Sequence, residues 1–441
     1  MEVVKQNTNI DENIMNSIRV PETDLPRIVV IGGGFAGLAL VKGLKNKDVQ
    51  VIVLDRNNFH QFQPLLYQVA TSGIVPDNIA FPLRKQFEKY KNVFFRMGEV
   101  LKIDTEKNRV ISDIGVINFD YLVLATGSTT NFFGMEDVQT NGIGMKSIQE
   151  ALDIRSMMLQ SLEEAVVTSD NERRNALTSF VVVGGGPAGV ETAGAIAEFR
   201  RYILPKDYPD MNASVMSIHL LEAGGTLLTG MSESSSKKAL LYLEELGVKV
   251  HLENRVTSYD GNIVRTNTGL ELPAKSLIWN AGVQGCSPDG LDKENFVSGK
   301  RILVDEFLEV KNYKGIYAIG DTAALISDEY PRAHPMVAQV AIQQGRTLAK
   351  NILNQLNGKE RIVFEYKDKG SLATVGKRKA VADVWGMNIG GIIAWLIWSF
   401  VHLISISGFK NRLLVGIHWL WSYFSYDKGS RLIVRKYKRD N

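Results

Sequence analysis

Short apolar runs that end in a glycine or an acid recur along most of the chain. Two of them are also followed by a glycine cluster and a second apolar stretch with the length of a helix. Short apolar runs bounded by turn residues predict buried strands, so the pattern predicts an α/β fold. The runs are "RIVVIGG" (27–33), "VQVIVLDR" (49–56), "YLVLATGS" (121–128), "SFVVVGGG" (179–186), "SIHLLEA" (217–223) and "GIYAIGDTA" (315–323).

Two longer apolar runs, 389–409 and 413–426, lie near the end of the sequence after an expected strand hairpin at 365–386. The 26 residues of 384–409 carry no charge, which is long enough to span a bilayer. The second run is too short to return across it. A polar strip recurring every three residues also favours helices that lie in the membrane interface; the strip consists of Ser399, His402 and Ser405.

This C-terminal region is basic and rich in tryptophan. Residues 384–441 hold eight Lys/Arg against two acids, and five of the six Trp. Such a balance favours an anionic lipid surface over nucleic acid as the partner of residues 384–441. We expect four indoles at headgroup depth, from Trp395, Trp398, Trp419 and Trp421. A membrane span and burial in a homodimer interface stay open as alternatives.

The bulk composition excludes several classes of protein. A chain of 441 residues predicts two or three domains. Its one cysteine, Cys286, cannot form an internal disulfide, a redox pair or a four-thiolate metal site. No metal site is predicted. The polar N-terminus has no basic region followed by an apolar stretch, so we expect a cytoplasmic orientation.

The first glycine cluster has the spacing of a dinucleotide-binding loop. In "RIVVIGGGFAGL", Gly32, Gly34 and Gly37 fit G-x-G-x-x-G, whose helix N-terminus accepts a pyrophosphate. The next strand ends in Asp55, 23 residues after Gly32, as expected for a group that bonds ribose hydroxyls.

A second cluster repeats the pattern. "SFVVVGGGPAGVE" places Gly184, Gly186 and Gly189 at the same spacing, and Glu222 ends the matching strand. Glu222 comes late because residues 200–213 read as an insertion. Two such loops predict two dinucleotides, which makes sense when NAD(P)H passes hydride to FAD.

At this point the chain resembles the two-dinucleotide-binding-domain flavoproteins, through its glycine loops, "ATG" (125–127) and "IYAIGD" (316–321). Within them it is similar to the type II NADH dehydrogenases, through "FQPLLYQVA", "GGGPAGVE", "LIWNAGV" and "MVAQVAIQQG". The resemblance implies two Rossmann-like domains, the NAD domain being inserted in a discontinuous FAD domain, followed by a C-terminal apolar helical membrane-anchoring region. Its expected boundaries are 1–26 (N-terminal extension), 27–145 and 282–366 (FAD), 146–281 (NADH) and 367–441 (membrane-associating region).

The resemblance also implies site residues. Gln339 and Gln343 would meet the quinone, and Glu191 would position the nicotinamide or relay protons; the family's further glutamate is replaced here by Ala195, with Glu198 following. Glu222 predicts NADH over NADPH. The FAD-binding positions would be Gly32, Gly33, Gly34, Phe35, Ala36, Gly37, Asp55, Arg56, Val100, Ala125, Thr126, Gly127, Gly320, Asp321, Ala338 and Gln339, and the NADH-binding positions Gly184, Gly186, Gly189 and Glu222.

The expected activity is NADH:quinone oxidoreduction through FAD, without proton pumping, by a monotopic protein on the cytoplasmic face of the cell membrane. The quinone would be of the ubiquinone or menaquinone type. Two alternatives stay open: a soluble NADH-dependent reductase of a ferredoxin- or rubredoxin-like carrier protein, and a redox-sensing flavoprotein.

Overall fold

The computed structural model describes residues 16–425 and 429–437. The chain divides into two compact units. The first unit comprises Met1–His60, Phe81–Thr129 and Val283–Asp368, and the second comprises Gln61–Ala80, Thr130–Gly282 and Lys369–Asn441. Much of the expected N-terminal extension, and Asp427, Lys428, Lys438, Arg439 and Asp440 of the basic tail, lie outside the described residues.

The first unit is built on a five-stranded parallel sheet. The strand that leads into the first glycine cluster lies at its centre, and its valines are buried completely. Because both faces of a parallel sheet are covered, its strands are continuously apolar rather than alternating. In spatial order the strands are Ile316–Ala318, Tyr121–Leu124, Arg27–Ile31, Gln50–Asp55 and Val93–Met97.

Two helices of the first unit pack closely because small residues line their contact. Helix Phe35–Leu44 meets helix Ala338–Leu356, where a methyl group added to Gly43 would lie 2.5 Å from the Cβ of Ala349. The unit also has helix Leu83–Phe87, an antiparallel sheet (Val100–Asp104, Arg109–Ser112, Gly115–Asn118) and a mixed sheet (Phe296–Val297, Arg301–Val304, Ala323–Leu325).

The second unit repeats the architecture. Its five-stranded parallel sheet is ordered Ile143–Gly144, Ser276–Trp279, Ser179–Val183, Ser217–Leu221 and Lys249–His251. The strand before the second glycine cluster is again central, so both clusters end the middle strand of a parallel sheet. The other elements of this unit are helices Leu66–Ala70, Glu136–Asn141, Ile148–Val167, Asn171–Leu177, Pro187–Tyr202, Leu204–Asp207 and Glu233–Glu245, with the antiparallel strands Val256–Tyr259, Ile263–Thr266 and Glu271–Pro273.

The C-terminal part of the second unit begins with three antiparallel strands, Ser371–Gly376, Lys379–Val384 and Met387–Gly390, where the sequence predicted only a hairpin. The extra strand forms because Trp385 and Gly386 both have positive φ, the conformation of a tight two-residue hairpin turn. This strand takes up the first residues of the longer apolar run.

Two helices follow, Gly391–Ser405 and Phe409–Ser425. The predicted interruption around residues 410–412 is therefore displaced, and the break falls at residues 406–408. Across residues 16–425 and 429–437, the helices are all too short or too polar to cross a membrane.

Candidate functional site

The first glycine loop is tight where it faces protein and open where a nucleotide is expected. A Cβ at Gly37 would lie 2.0 Å from the carbonyl oxygen of Gly32, and one at Gly32 would lie 2.2 Å from that of Ala125. A Cβ at Gly34 would meet nothing within 4 Å. Gly34 also begins helix Phe35–Leu44 without a side-chain cap, so the helix N-terminus is left for an anion.

Asp55 is fixed beside this loop by two backbone donors. Its Oδ2 accepts the N–H of Gly33 at 2.7 Å, and its Oδ1 accepts that of Asn57 at 2.7 Å. Burial raises the pKa of Asp55 against these bonds. The carboxylate keeps lone pairs for ribose hydroxyls, whereas the neighbouring Arg56 is exposed.

The second glycine loop has the same construction. A Cβ at Gly189 would lie 1.8 Å from the oxygen of Gly184, whereas one at Gly186 would meet nothing within 4 Å. Glu222 Oε2 accepts the N–H of Gly185 at 2.5 Å, and its Oε1 accepts that of Gly224 at 2.6 Å. The residues of both loops therefore fit a bound dinucleotide.

The predicted flavin position Asp321 is bonded to Ser128, the residue that follows the "ATG" positions 125–127. Ser128 Oγ donates to Asp321 Oδ2 at 2.5 Å, and Gly320 has φ of 77°. Gly127 faces open space. Val100 begins a strand of the separate antiparallel sheet.

Several other predicted positions also have defined contacts. The Thr126 hydroxyl donates to the carbonyl oxygen of Cys286, and Phe35 contacts His60 edge-on at 5.0 Å. Ala36 and Ala125 are buried, and Ala338 begins its helix.

Gln344 is a candidate site residue that is not among those predicted from the sequence. Its side chain is fully buried, and its Oε1 accepts the N–H of Gly320 at 2.7 Å. Its Nε2 has no hydrogen-bond partner among the described residues. Its position, next to the two predicted glutamines, was the only available signal.

Gln339 and Gln343 lie one turn apart at the start of helix Ala338–Leu356, as predicted. Gln343 is engaged twice by the backbone of Lys367: its Nε2 donates to the oxygen at 2.9 Å, and its Oε1 accepts the N–H at 3.0 Å. Gln339 donates to Asp368 at 3.4 Å. The side-chain amides of Gln339 and Gln343 thus both bind the segment 367–368. That these two glutamines meet a quinone stays a prediction.

Glu191 lies in a pocket of the second unit. Its side chain is 7% exposed, and its Oε1 accepts the N–H of Thr374 at 3.3 Å. Burial raises the pKa of Glu191 to about 8, against the opposing effects of Thr374 and Trp398. The carboxyl group is therefore mostly protonated at pH 7 and can donate a proton.

The pocket is walled by the C-terminal helices. It encloses about 870 Å³ including its part that is open to solvent. The residues that line it are Tyr67, Gln68, Thr71, Gly73, Glu191, Ala195, Glu198, Tyr202, Ile203, Thr374, Gly376, Lys377, Trp395, Trp398, Ser399 and Trp419.

Three of the four tryptophans predicted at headgroup depth line the pocket; of these, Trp398 is buried, whereas Trp395 and Trp419 are half-buried. Trp398 is 2% exposed and stacks on His402 with ring centroids 4.2 Å apart. Trp419 donates to Gln68 Oε1 at 2.8 Å. Trp421 is 66% exposed and remains compatible with the prediction.

The polar strip that favoured an interfacial helix is turned inward only in part: His402 is half-buried, whereas Ser405 is exposed. Ser399 lines the pocket, and His402 Nδ1 lies 2.8 Å from the oxygen of Trp398, with burial lowering the pKa of His402 to about 4. The hydroxyl of Ser405 donates a hydrogen bond to the backbone oxygen of Val401 at 2.6 Å. Because hydroxyl and imidazole groups can bond to their own helix, such a strip does not by itself decide which face of the helix meets water.

The described part of the basic tail is bound to the second unit itself. Arg431 pairs with Asp207 at 2.7 Å, and Arg435 pairs with Asp153. These two arginines are therefore already neutralised within the protein, which the expected contact of the cluster with lipid did not anticipate. Within the described ranges, no three His, Cys, Asp or Glu side chains are grouped to hold a metal ion.

Comparison with known proteins identifies the family. The profile described as "Pyridine nucleotide-disulphide oxidoreductase" matches residues 26–345, and that described as "NDH2 C-terminal domain" matches residues 369–425. The "Type II NADH:quinone oxidoreductase Ndh" of Mycobacterium tuberculosis is 36% identical over 424 residues, covering 92% of this chain and 90% of that protein. The chain belongs to the type II NADH:quinone oxidoreductase family.

Other members of the family are more distant. The type II NADH:quinone oxidoreductase of Staphylococcus aureus is 28% identical over 377 residues, covering 83% of this chain and 92% of that protein. The solved structure of NDH2 from Plasmodium falciparum in complex with NADH has a TM-score of 0.83 at 20% identity, covering 93% of this chain and all of that chain. At that identity the match shows the fold alone. The disulfide chemistry in the name of the larger profile does not extend to this chain, whose one cysteine is Cys286.

Proposed function

We propose that this protein is an NADH:quinone oxidoreductase that uses FAD and does not pump protons. The observation that carries the proposal is the pocket of the second unit, where a buried, protonated glutamate meets walls built by the apolar C-terminal helices. A lipid-soluble acceptor needs an apolar wall, and its reduction to a quinol needs a proton donor. The test is NADH oxidation with and without a short-chain quinone.

Each of the two glycine loops would bind a different dinucleotide, as the family resemblance implies. The first loop, with Asp55, would hold FAD, and the second, with Glu222, would hold NADH. When bound, FAD would supply the redox chemistry: it accepts hydride from NADH and passes two electrons on to a quinone. The expected domain boundaries remain part of this proposal.

Glu191 would supply a proton to a quinone oxygen. The N–H of Thr374 holds one oxygen of the carboxyl group, and burial keeps the group neutral near pH 7. A neutral carboxyl group costs less to bury in an apolar pocket than a charged one. It can donate its proton in the transition state. Because its carboxylate is poorly solvated, Glu191 would be protonated again before the next turnover.

Glu222 would select the nucleotide. Its two oxygens are already fixed by the N–H groups of Gly185 and Gly224, so the carboxylate cannot swing away from a ribose. A fixed negative charge repels a 2′-phosphate.

We expect kcat/KM for NADH to exceed that for NADPH by at least about 100-fold, which corresponds to roughly 2.7 kcal/mol. The Glu222→Gln variant should narrow this ratio, since the amide removes the charge but retains an acceptor. Steady-state kinetics with both nucleotides measure it. Equal kcat/KM values for the wild-type protein would refute the assignment of Glu222.

The outer faces of the C-terminal helices would rest on the membrane. Each helix exposes one apolar stripe at spacings of three to four residues, which is the pattern of a helix lying in an interface. The stripes consist of Ile392, Ile393, Leu396, Phe400 and Ile404 on the first helix, and Phe409, Leu413, Ile417, Leu420 and Trp421 on the second. The protein would then be monotopic, on the cytoplasmic face of the cell membrane, and a homodimer is compatible with it.

A charge on either stripe should release the protein from membranes. We expect Leu396→Glu/Leu413→Glu to cut flotation with anionic vesicles by at least about tenfold, because each buried carboxylate costs more than 1.4 kcal/mol. NADH-driven dye reduction should persist. Leu241→Glu is the matched control, since Leu241 is 56% exposed on another helix of the same unit. Equal flotation of the double variant and the control would argue against this face.

These point changes are sharper than deleting residues 384–441. The deletion would remove Trp395, Trp398 and Trp419, and with them part of the pocket wall. Loss of quinone activity after it would not separate membrane binding from a damaged pocket.

A further inference from the structure

Two acids of one helix line the same pocket. Glu191 and Glu198 are seven residues apart on helix Pro187–Tyr202, so they lie two turns apart on one face. The family resemblance places a second glutamate at position 195, where this chain has alanine, and Ala195 lines the pocket between the two acids. The second acid of this chain is thus one turn further along the helix.

The two acids differ in their access to water. Glu191 is buried, whereas Glu198 is half-exposed. Its Oε1 accepts the backbone N–H of Lys377, which fixes its carboxylate at the pocket wall. Glu198 therefore joins solvent to the pocket, and Glu191 lies at the inner end.

Tyr67 lies close enough to sense both acids. Burial raises the pKa of the Tyr67 hydroxyl, and the charges of Glu191 and Glu198 raise it further. The hydroxyl accepts the side-chain N–H of Gln68 at 2.9 Å, which leaves its own proton free to be donated. Two helical turns separate the acids by about 10 Å, too far for direct transfer, so Tyr67 or pocket water must bridge them.

We propose that Glu198 delivers protons from solvent to Glu191, and so acts on quinone reduction through Glu191 rather than by touching the quinone. The inference rests on the proposed function. NADH, one proton and a quinone give NAD⁺ and a quinol, so each turnover takes one proton from solvent. Glu191 gives its proton to a quinone oxygen, and the proton that replaces it passes from water through Glu198.

Other titratable groups around the pocket suit this route. Lys377 and Tyr202 line it too: the backbone N–H of Lys377 binds Glu198, and Tyr202 lies one turn after Glu198 on the same helix. His402 stacks on Trp398, which lines the pocket beside Glu191, and it is neutral at pH 7 because burial lowers its pKa to about 4. Glu198 is thus the carboxyl group of this pocket that meets solvent.

The test separates proton delivery from structural support. The Glu198→Gln variant keeps an oxygen to accept the N–H of Lys377 but cannot carry a proton. We expect its turnover with a short-chain quinone to fall roughly tenfold at pH 8.5 and little at pH 6, where protons are abundant. NADH-driven ferricyanide reduction, which needs no proton on the acceptor, should be unchanged at both pH values.

Two further variants complete the experiment. Formate should restore a large part of the quinone turnover of Glu198→Ala at pH 8.5. Glu244→Gln, on an exposed face of helix Glu233–Glu245, should behave as wild type. A wild-type pH profile for Glu198→Gln, or no rescue by formate, would overturn the inference. If the wild-type protein reduced no quinone at all, the proposed function itself would fail.

Discussion

Replacing Glu191 by glutamine should lower quinone turnover by about 100-fold or more, the usual contribution of a positioned general acid. Glutamine keeps an oxygen for the N–H of Thr374 and has the size of the protonated acid. What it loses is the proton. The rate of quinone reduction is measured at saturating NADH, with ferricyanide reduction as the control that should hardly change.

The pH dependence of the same reaction gives a second readout. The pKa of Glu191 is raised to about 8, so wild-type quinone turnover should decline as the pH rises through 8. The residual turnover of Glu191→Gln should lack this decline.

The raised pKa of Glu191 should also make the stability of the wild-type protein depend on pH. A raised pKa means that the folded wild-type protein binds more protons than the unfolded chain between pH 4.5 and 8 and loses stability as the pH rises through that range. Glu191→Gln should not show this loss. Equal quinone turnover in the variant and the wild type would contradict the role of Glu191.

Replacing Gly186 by valine should raise the KM for NADH by about 100-fold or more, the scale of effect expected when a reactant is displaced by an ångström. The valine side chain meets no protein atom within 4 Å of its Cβ, and Gly186 has φ of −72°, which any residue adopts. Its methyl groups would instead fill the space over the helix N-terminus where we place the pyrophosphate.

Two controls separate this effect from misfolding. Gly429→Val also adds a side chain in open space, in the C-terminal tail rather than at the loop, and should leave the KM unchanged. Gly189→Ala should unfold the second unit or prevent its folding, because its Cβ would lie 1.8 Å from the oxygen of Gly184. Flavin content and melting temperature of Gly186→Val should match the wild type. An unchanged KM in this variant would place the pyrophosphate elsewhere.

The glycine loops could be predicted from sequence because their geometry is local. The spacing of Gly32, Gly34 and Gly37 fixes a tight turn between a strand and a helix. The two acids do lie beside their loops, since Asp55 binds the N–H of Gly33 and Glu222 that of Gly185. Such contacts follow from one strand lying beside the next in a parallel sheet. The bonds of the two acids to ribose hydroxyls stay a prediction.

The C-terminal helices could not be oriented from sequence, because several faces are apolar. The inward face was decided by contacts with distant residues: Trp419 with Gln68, and His402 with Phe62 at 6.2 Å. A polar strip usually marks a face that meets water, and here its first residue, Ser399, lines a pocket. The pairing of Arg431 with Asp207 likewise joins residues more than 200 positions apart.

The pocket itself also lay beyond sequence analysis. Glu191 was singled out by resemblance, but its burial depends on Thr374 and Trp398, which follow it by more than 180 residues. In the sequence, Glu198 is marked only as an acid three residues after position 195, where the family's further glutamate is expected. Its contact with Lys377 shows that it belongs to the same pocket as Glu191.

The central claim is that electrons from NADH leave this protein on a quinone. The most direct measurement is anaerobic oxidation of NADH by the purified, FAD-loaded full chain on anionic vesicles, with and without a short-chain quinone. We expect oxidation to require the quinone and to stop at one NADH per quinone. If the quinone has no effect while a ferredoxin- or rubredoxin-like carrier protein supports turnover, the account is wrong.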